Sequence, residues 1–97
     1  MSFQPGSLDH LLAEVVGGDD AVAAELRALF LASATAHVAA MSRPAGSGQW
    51  RDDALRLQGL AASFGVTRLM EAASRAAHAD PDPLLLDAVA VALAECR

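Results

Sequence analysis

Few side chains in this chain have types suited to covalent or proton-transfer chemistry. The three imidazoles, His10, His37 and His78, can exchange a proton near neutral pH, and neither His10 nor His78 neighbours an expected phosphate cradle. They fall on three different predicted helices, with no i, i+4 histidine partner, so no metal site is expected. Cys96 stands alone beside the C-terminus. It has no cysteine for an internal disulfide and no nearby histidine for zinc, which implies a reducing compartment. The acid pairs Asp19-Asp20 and Asp52-Asp53 read as helix caps and solvated first-turn charges rather than catalytic pairs. No glycine-rich phosphate loop, Ser-His-Asp order or cofactor fingerprint is present, so neither an enzyme nor a bound cofactor is expected.

The segment from Trp50 to Gly65 has the best-defined pattern. Trp50, Ala54, Leu57, Ala61 and Phe64 recur at helical spacing and predict one buried face. Leu55 then lies roughly 140° from the centre of that face on a 3.6-residue wheel. Arg51, Leu55, Gln58, Gly59 and Ala62 form the outer strip of the same helix. Leucine has no lone pair, so position 55 cannot serve as a nucleophile. Gln58 can donate hydrogen bonds but brings no positive charge.

Chain breakers delimit the elements that carry these residues. Residues 1–6 read as a flexible tail, and Ser7 can cap a short helix with Leu8, Leu11, Leu12 and Val15 on its apolar side. Gly17-Gly18 stops it. A long helix from about Asp20 to Met41 or Ser42 follows, with Val22, Leu26, Leu29, Phe30 and Met41 on one side. The run from Arg43 to Gly48 is a loop. The next helix extends from about Gln49 to Phe64 and ends at Gly65, which is suited to a left-handed cap. Another runs from about Thr67 to His78, with Leu69, Met70, Ala73, Ala76 and Ala77 inward. Asp82 and Pro83 read as N-cap and first residue of a last helix carrying Leu85, Leu86, Val89 and Leu93.

At 97 residues the chain is a single domain, residues 1–97, near the small end of what can bury its own core. Much of its apolar content is alanine, the best helix former. Short loops between periodic helices predict an all-α, antiparallel up-down four-helix bundle with a short extra N-terminal helix. The net charge is −5, and all seven basic residues are scattered arginines. Nucleic acid and anionic membrane are therefore poor partners. Neither a signal peptide nor an apolar run of membrane-spanning length is expected, which points to the cytoplasm.

The twelve residues Ala54-Leu55-Arg56-Leu57-Gln58-Gly59-Leu60-Ala61-Ala62-Ser63-Phe64-Gly65 resemble the signature of histidine-containing phosphotransfer (HPt) domains, Ala-His-x-Leu-Lys-Gly-Ser-Ala-x-x-x-Gly. Ala54, Leu57, Gly59, Ala61 and Gly65 match it in register. Gly18-Asp19-Asp20 before a long helix with Phe30, and Leu69 four residues past Gly65, extend the resemblance over nearly the whole chain from about Leu8. Leu55 occupies the position of the family's phosphoacceptor histidine, and Gln58 that of its usual lysine.

The resemblance implies a module of two-component phosphorelay signalling. Its expected partner is a response-regulator receiver domain or a histidine kinase, docked on Arg51, Leu55, Gln58, Gly59 and Ala62. Phosphate transfer by this chain is not expected. Two other readings stand beside this one. His37, near the level of Ala54, is the only alternative phosphoacceptor. The chain is otherwise a helical interaction bundle unrelated to phosphorelays, with self-association through the Leu55 strip.

Overall fold

The computed structural model describes residues 19–43 and 46–96. Among them the regular elements are all helices: α1 (Asp20–Met41), α2 (Ser47–Ser63), α3 (Thr67–Ala77) and α4 (Pro83–Ala94). The expected N-terminal tail and the helix on Leu8, Leu11, Leu12 and Val15 lie outside the described residues, as does His10.

The helix ends follow from local chemistry. Asp19 caps α1 by accepting from the Val22 amide at 3.2 Å, satisfying one of the orphan donors of the first turn. Asp82 does the same for α4 through Leu84 at 2.8 Å, with Pro83 just inside the helix. Gly65 ends α2 at φ 70°, a conformation that favours glycine. The Val66 amide then donates to the Ala61 carbonyl at 2.9 Å, and the Gly65 amide to Ala62 at 3.2 Å. That pair of bonds is a Schellman motif. It turns the chain sharply into α3.

α1 packs on α2 and α4, and α3 packs on α2 and α4. The backbones of α1 and α3 do not approach each other, nor do those of α2 and α4. Each helix thus has two neighbours, the arrangement of a helical bundle. The largest fully buried side chains come one from each helix: Phe30, Leu57, Leu69 and Val89. Buried alanines (Ala34, Ala54, Ala61, Ala73 and Ala76) fill the space between them. Trp50 is buried too, and its indole N–H donates to the Ala76 carbonyl at 2.7 Å. That bond joins the start of α2 to the last turn of α3 and satisfies a polar atom that burial would otherwise penalise.

Several expectations are corrected. Val22 and Leu29 are exposed, although they were assigned to the inner side of α1. Leu29 immediately precedes Phe30 and so sits about 100° round the helix; Phe30, Ala34 and Met41 hold the centre of the buried face. Phe64, Met70, Leu85 and Leu86 are half-buried. Phe64 still meets Phe30 with ring centroids 5.0 Å apart. α2 begins two residues before Gln49. Finally, α1 is long and apolar enough to cross a membrane by length and composition, contrary to the expectation that no run of that length exists. Its alanines account for this, since they raise mean hydropathy without supplying a large apolar side chain.

Candidate functional site

The two faces of α2 separate as the wheel predicts. Leu57 is fully buried, whereas Leu55 is 46% exposed. Two residues on a helix differ by about 200°, so packing one leucine on α1 and α3 turns the other outward. Arg51, Gly59 and Ala62 are exposed beside Leu55. These four residues share one surface. Around Leu55 that surface carries the small residues Gly59 and Ala62, and a Cβ added at Gly59 would meet nothing within 4 Å.

Gln58 departs from the expected strip. It is half-buried, and its Oε1 is enclosed without a hydrogen-bond donor among the described residues. Its wheel position explains this, because it lies on the flank of α2 nearest α3. The side chain is partly committed to the α2–α3 seam.

Arg56 is exposed on the opposite flank of the strip from Gln58. Neither Arg51 nor Arg56 forms an ion pair within the described residues. The strip is therefore a small apolar patch between two available guanidinium groups. It can bind by apolar burial and hydrogen bonding, and it offers no nucleophile.

His37 is brought elsewhere. Its side chain is 27% exposed, and Nδ1 lies 3.9 Å from Oδ1 of Asp53. That separation is too long for a hydrogen bond. Gln49 Nε2 donates to the other oxygen of the same carboxylate. Asp53 is on the side of α2 facing α1, two residues and about 200° from Leu55. The imidazole therefore borders the inner flank of α2 and does not join the Leu55 strip.

Asp53 is the residue that sequence reasoning misjudged. It was expected as a solvated first-turn charge and is buried, at 3% exposure. The signal was available in the spacing. Asp53 is three residues after Trp50 and four before Leu57, which puts it on the buried stripe. Asp52 is exposed as expected. His78 forms the C-cap of α3, and its Nδ1 lies 2.7 Å from the Ser74 carbonyl.

Comparison of the chain with protein-family models, with curated proteins and with solved structures finds no match.

Proposed function

We propose that this chain is an HPt-like docking module of two-component signalling, which binds a receiver domain or histidine kinase without carrying phosphate itself. The observation that carries this reading is the exposure of Leu55. The side chain at the position of the resembled family's phosphoacceptor faces solvent, as an acceptor must, yet it has no nucleophilic atom. Gly59 adds support. A glycine inside a helix costs about 0.5–1 kcal/mol relative to alanine, and nothing in the chain's own packing within 4 Å excludes a Cβ there. Room for a partner accounts for it.

The reading also takes the bundle as up-down and antiparallel. Three pairs support that register between α1 and α2: Phe30 with Phe64, His37 with Asp53, and Met41 with Trp50. As α1 advances, its neighbours on α2 recede. The Arg68–Glu95 ion pair and the Arg27 bond to the Cys96 carbonyl extend the alternation to α4.

Binding is tested by titrating the native chain against receivers and kinases of the same cell. Gly59→Arg and Ala62→Glu each place bulk or charge on the strip. Both should weaken binding while circular dichroism stays unchanged. The native chain should acquire no acid-labile phosphohistidine. Leu55→His with Gln58→Lys should gain partial phosphotransfer, provided the new lysine extends outward from the half-buried site. Labelling of the native chain that is lost in His37→Ala would move the acceptor to His37. No binding to any receiver or kinase would leave a helical interaction bundle with no phosphorelay role.

A further inference from the structure

A second exposed apolar surface lies away from the Leu55 strip, on the seam between α3 and α4. Leu84 and Val91 are 77% and 60% exposed. They are seven residues apart, two helical turns, and so stand in one row. With Ala72, Ala88 and Ala92 they line a groove of about 420 Å³. The groove is open along its length, which suits the ridge of another helix better than an enclosed small molecule.

The charges around this groove are sorted by helix. The α3 rim carries Arg68 and Arg75, and the α4 rim carries Asp87 and Glu95. Glu71 has the opposite sign on the α3 rim, and Arg75 lies 3.9 Å from it. Asp87 has no ion-pair partner among the described residues. We infer that this groove binds a second copy of the chain, related by a two-fold axis running along the helices.

The charge pattern selects that axis. A two-fold axis across the helices would place α3 on α3 and α4 on α4, setting arginines against arginines and Asp87 against Glu95. An axis along the helices places α3 of one copy over α4 of the other. Arg68 and Arg75 then meet the acidic rim of the other copy, while Glu71 stays beside Arg75 of its own chain, and the relation is self-complementary, as an isologous interface requires. The register comes from the Arg68–Glu95 pair at 2.8 Å. Two turns further along the antiparallel pair, Arg75 reaches the level of Ala88, beside Asp87. Across the interface Arg75 therefore faces Asp87 of the other copy, while Leu84 and Val91 of one copy pack along the α3 side of the other, where Ala72 leaves room for them. Two helices of this length, each about 10 Å wide, form a face at the small end of stable interfaces.

Sedimentation of the full chain over a wide concentration range tests the dimer. A reversible monomer–dimer equilibrium is expected. Leu84→Glu should weaken it by about tenfold or more, because it places a charge in the apolar contact. Its circular dichroism should be unchanged, since Leu84 is exposed. Asp87→Arg should also weaken it, by setting like charges together, and adding Arg75→Asp to that variant should restore most of the loss. A native chain that sediments as a monomer throughout overturns the inference and leaves the groove to another occupant. A dimer indifferent to Leu84→Glu also overturns it and moves the contact to another surface, Leu29 on α1 and the Leu55 strip being other exposed apolar ones among the described residues. Because Leu84 and Leu55 lie on different helices, Leu84→Glu should leave receiver binding intact, so failure of the dimer and failure of the docking reading are separable.

Discussion

The inner and outer faces of α2 differ in what determines their residues. On the inner face, Trp50, Ala54, Leu57 and Ala61 are buried, and each has a packing reason to be the size it is. On the outer face, Arg51, Leu55, Gly59 and Ala62 are exposed, and the fold makes little demand on them. A glycine in the middle of that face even works against the helix. Residues that the fold does not require are where a binding role can be read, whereas the inner face tells only of stability.

The comparison is broken most directly with the two leucines. Leu57→Ala should destabilise the domain by roughly 2–5 kcal/mol, because it opens a cavity between α2 and its neighbours. Leu55→Ala should cost under about 1 kcal/mol. Thermal or denaturant unfolding of the two variants measures the difference. Equal losses would mean that Leu55 is a core residue, and the proposed docking strip would lose its centre.

The next effect concerns the end of the same helix. Gly65 is at φ 70°, where a Cβ is strained. Gly65→Ala should therefore destabilise by about 1–2 kcal/mol, and it should strain the Schellman bonds that set the angle between α2 and α3. A neutral result would show that the turn relaxes without cost and that α2 is less firmly placed than its capping implies.

A smaller effect belongs to the polar pair on the inner flank. Asp53 and His37 are 3.9 Å apart without a hydrogen bond. A double-mutant cycle with His37→Ala and Asp53→Ala should give a coupling below about 1 kcal/mol. A larger value would mean that the pair tightens in solution and braces α1 against α2.

How much of this was legible in the residues varies with the physical cause. The helix ends were readable because caps are local: Asp19, Asp82-Pro83 and Gly65 each act within a few residues. The buried stripe of α2 was readable because large and small residues alternate strongly along it. α1 was less so. Its alanines carry little contrast, so Leu29 and Phe30, adjacent in sequence, could not be ranked without knowing where α2 and α4 sit. Asp53 was missed because residue type was weighed above position. Its spacing from Trp50 and Leu57 marks the buried stripe, and Gln49 one turn earlier supplies a donor; only the approach of α1 and His37 depends on the fold. Gln58 was placed on the strip by angle alone, and α3 draws it partly inward.

The smallest effect on stability gives the sharpest contrast between folding and binding. Gly59 is exposed in the interior of α2, and a Cβ added there meets nothing within 4 Å. Gly59→Ala should therefore stabilise the domain by about 0.5–1 kcal/mol, through the reduced freedom of the unfolded backbone. A single methyl group is small enough that partner affinity should fall only slightly. Gly59→Leu should hold the helix as well or better, yet lose affinity, because its side chain occupies the space a partner would enter. The two variants then move stability in the same direction and binding by different amounts. Melting temperature and receiver titration, measured on the same preparations, separate the two quantities. If Gly59→Leu binds receivers as well as the native chain does, the space above Gly59 is not used by a partner, and the glycine has no explanation in the outer face at all.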